Sequence, residues 1–161
     1  MRASLTAVPF LATLAPCRAE PTPAIHYAPA ENHEHIDVAL IDRAEHEIDM
    51  AAYVLTDWPI RIYLDGTQLA QRERAKVFNA LAETPGVEIR IKHETNAPMH
   101  LKSYQIDGKL LRTGAANFSA SGLKRQDNDL IVIESPDAAA AFERAFEGRY
   151  SSGDSLSLGV K

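Results

Sequence analysis

The chain carries one cysteine, Cys17, among 161 residues. No intramolecular disulfide can form, and neither a cysteine framework nor a cysteine-based metal site is available. Long apolar runs are missing too. The best candidate, Leu5 to Ala15, falls well short of the ~20 residues that a bilayer-spanning helix needs. Positive charge is not in excess: 17 Lys and Arg stand against 22 Asp and Glu, a net charge of -5. That balance gives no global attraction to nucleic acid or to an anionic membrane. The sequence has no internal repeat and no low-complexity tract. What remains is enough chain for one domain with a core of its own.

The informative stretch is His100 to Ser119. Side chains two apart on a strand share a face. His100 and Lys102 are therefore expected to point into one cleft, with Leu101 turned to the core. A nitrogen nucleophile beside a fixed cation suits attack on a phosphate, whose negative charge repels most other nucleophiles. Histidine fits the task because its ordinary pKa of about 6.5 leaves much of it neutral near neutral pH. Asn117 can donate to a phosphoryl oxygen, and Ser119 adds a hydroxyl two residues on. The plainer reading is a buried strand with an incidental histidine and a surface lysine. Lys102, Lys109, Arg112, Lys124 and Arg125 surround this stretch. They read either as a solvated rim or as a patch that steers phosphate.

The spacing His-x-Lys-x4-Asp followed by Gly-x-x-Asn-x-Ser, here His100, Lys102, Asp107, Gly114, Asn117 and Ser119, resembles the phosphodiesterase motif of the phospholipase D superfamily. The match is closest to its short, single-motif bacterial members, which include endonucleases. A weaker resemblance extends from about Ile36 to Tyr150. It implies a metal-independent phosphodiesterase without a cofactor, in which His100 forms a phosphohistidine and a second His protonates the leaving oxygen. One motif per chain implies that the second His comes from a second copy across a two-fold axis. Lys102 and Asn117 would clamp the phosphate oxygens, with Ser119 nearby. Asp107 is either a supportive catalytic-motif residue or simply a turn-former. The family's Glu-Asn position reads Asp127-Asn128 here. Asp127 is thus the candidate to orient the second nitrogen of His100, and Glu134 is a weaker one.

Before this stretch, Met1-Arg2, the run Leu5 to Ala15, and small residues at Cys17 and Ala19 predict a secretory signal over 1–19. A lipoprotein box at Leu14-Ala15-Pro16-Cys17 is the alternative, although Pro16 fits it poorly. Export predicts a secreted or periplasmic protein. Pro21, Pro23 and Pro29 suggest an extended leader over 20–31.

The periodicity then predicts one domain over 32–150. Asn32 caps a helix through Ile36, Leu40, Ile41 and Ala44, and buried strands follow at Ile48 to Leu55 and Ile60 to Leu64. A helix begins at Thr67 and stops at Pro85-Gly86, and Val87 to Ile91 is a strand. Ser103 to Ile106 and Leu110 to Thr113 form a hairpin about Asp107-Gly108. Leu130 to Ile133 is a strand, and Ser135-Pro136 opens the last helix. Residues 151–161 read as a loose tail.

The expected fold class is α/β, a mixed sheet covered by helices on both faces. One joint is unusual, because only Thr56, Asp57, Trp58 and Pro59 separate Leu55 from Ile60. Parallel neighbours usually need a crossover of a dozen residues or more. By the resemblance, a crossover helix is missing near residues 56–59. Either the Ile60 strand pairs antiparallel or elsewhere, or the two segments merge into one bent edge.

His33 and His35 face different ways on their helix and make a poor metal pair, His46 reads as exposed on that helix, and His93 could flank the cleft or lie at the surface. No ligand grouping suggests a metal. Three functions remain open. A nuclease requires basic residues along a groove. A phospholipase D acting on phospholipid requires an apolar entrance, placed near Trp58 and Tyr104. A binding-only remnant retains the site but cannot form the dimer.

Overall fold

The computed structural model describes residues 22–51, 60–70, 72–93, 98–152 and 155–158. The expected signal at 1–19, and the joint with Trp58, lie outside them. The elements run β1 (Ala24–Ala28), α1 (His33–Ile41), β2 (Ile48–Ala51), β3 (Ile60–Asp65), a 3-10 turn (Gly66–Ala70), α2 (Arg72–Ala82), β4 (Val87–Lys92), β5 (Ser103–Ile106), β6 (Leu110–Gly114), α3 (Ala120–Lys124), β7 (Asn128–Ile133), α4 (Pro136–Tyr150) and β8 (Ser155–Leu158).

All eight strands join one mixed sheet in the order β1-β7-β6-β5-β2-β3-β4-β8. Met50, Ile62, Ile89, Tyr104 and Val132 lie on one face and pack with Leu40 and Ile41 of α1 and Phe78 and Leu81 of α2. Their neighbours Ala51 and Tyr63 point the other way and meet Phe146 and Tyr150 of α4. Period-2 alternation in the strands thus feeds two helical layers, as expected for a sheet covered on both faces. Each large apolar side chain sealed in this way contributes about 1.5–3 kcal/mol.

Local chemistry explains the element ends. The Asn32 side chain accepts from the Glu34 amide at 3.0 Å and caps α1. Ser135 does the same for α4 through the Ala138 amide, with Pro136 at the first helical position. Asp107 and Gly108 both take positive φ, 52° and 63°, as a two-residue hairpin of type I′ requires.

Four expectations change. The segment expected as an extended leader contains β1, which pairs antiparallel with β7 and forms one sheet edge. The expected tail contains β8, which pairs antiparallel with β4 at the other edge. The helix expected from Thr67 is divided into a 3-10 turn and α2, because the Asp65 carboxylate accepts from the Thr67 amide at 3.1 Å and fixes the first turn. Finally, β2 ends at Ala51, and β3 pairs with it in parallel, neither antiparallel nor merged. Residues 52–59 connect the two strands, and all of them lie outside the described residues. Fully extended, such a link reaches roughly 26 Å. Returning along a four-residue strand takes only about 13 Å, so parallel pairing does not require a crossover helix.

Candidate active site

The sheet brings the motif to one end. β5 and β7 start there and β6 finishes there, because these three strands are antiparallel neighbours. β2 pairs antiparallel with β5, and β3 and β4 run parallel to β2, so Ala51, Asp65 and Lys92 close the same end. His100 and Lys102 precede β5, Asn117 and Ser119 follow β6, and Asp127 precedes β7. Sequence distance is thus converted into proximity by strand order.

His100 is exposed and lies in the irregular stretch 98–102 rather than on a strand. Lys102 is buried, 8% exposed, and its Nζ donates toward the His100 ring, 3.0 Å from Nδ1 and 3.2 Å from Nε2. The same Nζ donates to the His100 carbonyl oxygen at 2.8 Å. Burial pushes the Lys102 ammonium below its ordinary pKa. Leu101 was expected in the core, but it is 37% exposed and lines a cavity with His100. Pleat alternation starts only at Ser103, so it does not govern Leu101.

A buried network holds Lys102. Arg112 is fully enclosed, and its Nη1 donates to the Lys102 carbonyl at 2.8 Å. Nε and Nη2 form a two-pronged pair with Asp37 of α1 at 2.8 and 2.9 Å. The Tyr104 hydroxyl also donates to Asp37 at 2.8 Å. The guanidinium lies 4.4 Å from the centre of the Phe118 ring, between Asn117 and Ser119. One side chain therefore touches both halves of the motif. Beside it, His33 is completely buried, and among the described residues neither ring nitrogen has a hydrogen-bond partner. Burial first, and then the Arg112 charge, push its pKa down, which favours the neutral ring.

Asn117 is exposed, with the backbone of α3 packed tightly beneath it. A Cβ on Gly122 would lie 2.4 Å from the Asn117 carbonyl oxygen. The Ser119 hydroxyl caps α3 by accepting from the Gly122 amide at 3.1 Å, and its own hydrogen remains to donate. Asp129 steadies the intervening turn by accepting from the Ala115 amide at 3.1 Å. On the other flank, Asp65 accepts from the Met99 amide at 2.7 Å and anchors the residue before His100. Sequence reading missed Arg112, Asp37, Asp65 and Asp129 as supports. Asp65 and Asp129 do sit where strands meet the motif loops, and that position is the one signal that could have found them.

Three expected site residues do not bond to His100 within this chain. Asp107 lies in the β5–β6 turn, at the opposite end of β5 from Lys102. Its carboxylate accepts from the amides of Glu45, His46 and Glu47 at 2.9, 2.8 and 2.8 Å, which makes it a structural tie rather than a catalytic group. Asp127 is exposed at the correct end of the sheet. It lines a separate cavity with Ile25 and Tyr27 and makes no hydrogen bond to His100 within this chain. Glu134 is at the far end of β7, 3.7 Å from Arg43. The basic patch thins: Arg112 is internal, Lys124 pairs with Glu34 and Lys109 belongs to the distant hairpin, while Arg125 stays exposed at the end of α3. His46 is exposed, as expected, but in the loop after α1. His93 is exposed just after β4.

The cavity beside His100 has a volume of about 390 Å³ and is lined by Tyr63, Lys92, Met99, His100, Leu101 and Arg149. A separate group of carboxylates, Glu47, Asp49 and Glu143, gathers within 4.8 Å on the α4 side. Asp49 there already receives two bonds from Arg61, at 2.8 and 2.9 Å, and one from Gln105 at 2.9 Å, so cationic and amide partners occupy it. Among the described residues, no helix is long and apolar enough to cross a membrane.

Comparison with known proteins agrees with this geometry. The sequence model of a family described as "Cardiolipin synthase, PLD-like domain" matches residues 38–150. A protein named phospholipase D from Rickettsia felis is 29% identical over 133 residues, covering 70% of this chain and 61% of that protein. A second phospholipase D, from Rickettsia conorii, matches to the same extent. The chain thus spans about three fifths of the length of these curated relatives. Among solved structures, the phospholipase D family member Nuc from Salmonella typhimurium superposes with a TM-score of 0.75 at 21% identity, over 88% of this chain and all of that one. NucT from Helicobacter pylori gives 0.73 at 14% identity, over 85% and 99%.

Proposed function

Because this chain belongs to the phospholipase D-like family of phosphodiesterases, we propose that it hydrolyses phosphodiester bonds through a phosphohistidine on His100. The observation that carries this is the exposed His100 ring with the Lys102 ammonium beside it, at the sheet end that also holds Asn117.

In the first step, a ring nitrogen of His100 donates its lone pair to phosphorus as the bond from phosphorus to the leaving oxygen breaks. The leaving oxygen takes a proton from a second imidazole. Water then attacks the phosphohistidine, that imidazole takes the water's proton, and the P–N bond breaks to restore His100. Lys102 and Asn117 donate to the non-bridging oxygens, and each such contact is worth about 3 kcal/mol in the transition state. Ser119 can add a hydroxyl donor. The chain has one motif, so the second imidazole is His100 of another copy in a two-fold homodimer. The two rings then work in opposite protonation states and titrate as a pair.

Nucleic acid is the favoured substrate. The apolar entrance that a phospholipid would need is expected near Trp58 and Tyr104. The Tyr104 ring is fully buried and bonded to Asp37, which supports the nucleic-acid reading at that position, and Trp58 lies outside the described residues. The name of the Rickettsia relatives supports the other reading, phospholipid head-group hydrolysis. Incubating the protein with plasmid DNA and with phosphatidylcholine vesicles, each in EDTA, separates the two. Nicked plasmid is expected, choline release would favour the lipase, and product from neither would favour a binding-only remnant. Sedimentation should show a dimer.

A further inference from the structure

We propose that His33 makes the active site acid-sensitive from inside the core. A proton on its ring loosens the Arg112–Asp37 clamp that holds Lys102, so activity falls while the fold persists. This rests on His100 and Lys102 forming the reacting pair. His33 opens α1, is completely buried, and among the described residues neither of its ring nitrogens has a hydrogen-bond partner. The phosphohistidine chemistry does not use it.

The charged groups around His33 come from several elements. Asp37 lies one turn further along α1, and Arg112 reaches both of its oxygens from β6. The Tyr104 hydroxyl of β5 donates to the same carboxylate. Glu31, just before α1, is exposed, and it accepts from the His26 ring of β1 and from the Tyr27 amide. Glu34, the residue after His33, pairs with Lys124 of α3.

Inside the core, one guanidinium therefore faces one carboxylate, and the cluster is neutral while His33 is neutral. A proton on His33 adds a second cation with no buried carboxylate left to answer it. An uncompensated charge away from water is costly. Burial first, and then the Arg112 charge, disfavour the charged ring, and they outweigh Asp37, the His26 backbone and Glu31, which favour it. A charged ring competes with Arg112 for Asp37. Arg112 also donates to the Lys102 carbonyl at 2.8 Å and lies over the Phe118 ring, so its displacement reaches both halves of the motif. The plainer role for His33 is packing at the start of α1. Packing requires only volume and gives activity no dependence on pH.

The sign follows from the direction of the shift. The folded state holds the His33 pKa below the ordinary 6.5, so the unfolded chain takes the proton first. Stability at this residue is intact above the unfolded value and declines as pH falls below it.

The test compares the parent protein with His33→Leu, which keeps volume and cannot take a proton, and with His33→Gln, which keeps polarity. Turnover of bis(4-nitrophenyl) phosphate is followed from about pH 8 to about pH 5, at a temperature where circular dichroism shows each protein folded. Both variants should stay within about twofold of the parent in kcat at the alkaline end. At the acid end they should retain about tenfold more of their own alkaline activity than the parent does, since the protonated-to-neutral ratio changes tenfold per pH unit. The His100 pair titrates in all three proteins and cancels in this ratio. Parallel profiles would overturn the proposal. So would a variant whose melting temperature loses its pH dependence while its kcat profile stays parallel, because His33 would then be a packing residue only.

A second arm needs no turnover. In His100→Ala, adding His33→Leu should flatten the fall of melting temperature over the same pH range. The His33 ring protons, followed by NMR, should titrate below the ordinary 6.5, and titration at or above it would overturn the proposal. Failure of the His100 reading looks different. His100→Ala would then still hydrolyse bis(4-nitrophenyl) phosphate, while the acid difference between the parent and His33→Leu persisted.

Discussion

Arg112 donates to the carbonyl oxygen of Lys102 at 2.8 Å from inside the core, so a side chain of β6 sets the backbone of the residue that contacts His100. Asp37 grips the same guanidinium on two prongs. Lys in place of Arg112 keeps a cation for Asp37 but loses the planar fork. Arg112→Lys should lower kcat by roughly ten- to a hundredfold, as a displacement of about 1 Å at a reacting group does. KM should change little. Steady-state kinetics on bis(4-nitrophenyl) phosphate, with a melting curve for each protein, read this directly. Loss of melting temperature without loss of kcat in the folded fraction would assign Arg112 to stability alone.

Gly122 permits the close approach of α3 to Asn117. A methyl group there would meet the Asn117 carbonyl oxygen at 2.4 Å and its nitrogen at 3.0 Å, both backbone atoms. Gly122→Ala must therefore displace Asn117, at an overpacking cost of ~1–3 kcal/mol. The variant should fold, melt lower, and lose most of its activity, as judged by denaturant unfolding and turnover of the same protein sample.

Asp107 provides the pH-sensitive tie. Burial works against its charge, but the amides of Glu45, Glu47 and His46 hold its carboxyl below the ordinary value of 3.8. A carboxyl depressed in the folded state stabilises the fold above its unfolded pKa, and that contribution fades as pH falls through the folded value. Asp107→Asn should cost about 2 kcal/mol at pH 7, since bonds to a charged acceptor are the stronger kind. The gap from the parent protein should narrow below about pH 4. Thermal unfolding at pH 7 and pH 3 measures both points.

Legibility in the sequence followed the range of the interaction. The hairpin at Asp107-Gly108 and the caps at Asn32 and Ser135 are set by neighbours and could be read directly. So could the placement of His100, Lys102 and Asn117 at one end of the sheet, because their spacing is local to two strand ends. β1 and β8 escaped because short edge strands, one of them flanked by prolines, owe their pairing to a partner far along the chain. The same holds for Arg112, whose partner Asp37 is 75 residues away. Arg112 reads as a surface charge because an isolated sequence gives no sign that its partner is buried with it.

The central claim is that the His100 ring becomes bonded to phosphorus. Acid-free quenching of the enzyme with a 32P-labelled diester, followed by alkaline peptide mapping, tests it. The account predicts label that survives base, is lost in acid, and maps to the peptide holding His100. It also predicts that His100→Ala carries none. Turnover by the parent enzyme with label on another residue, or with label retained by His100→Ala, would contradict it.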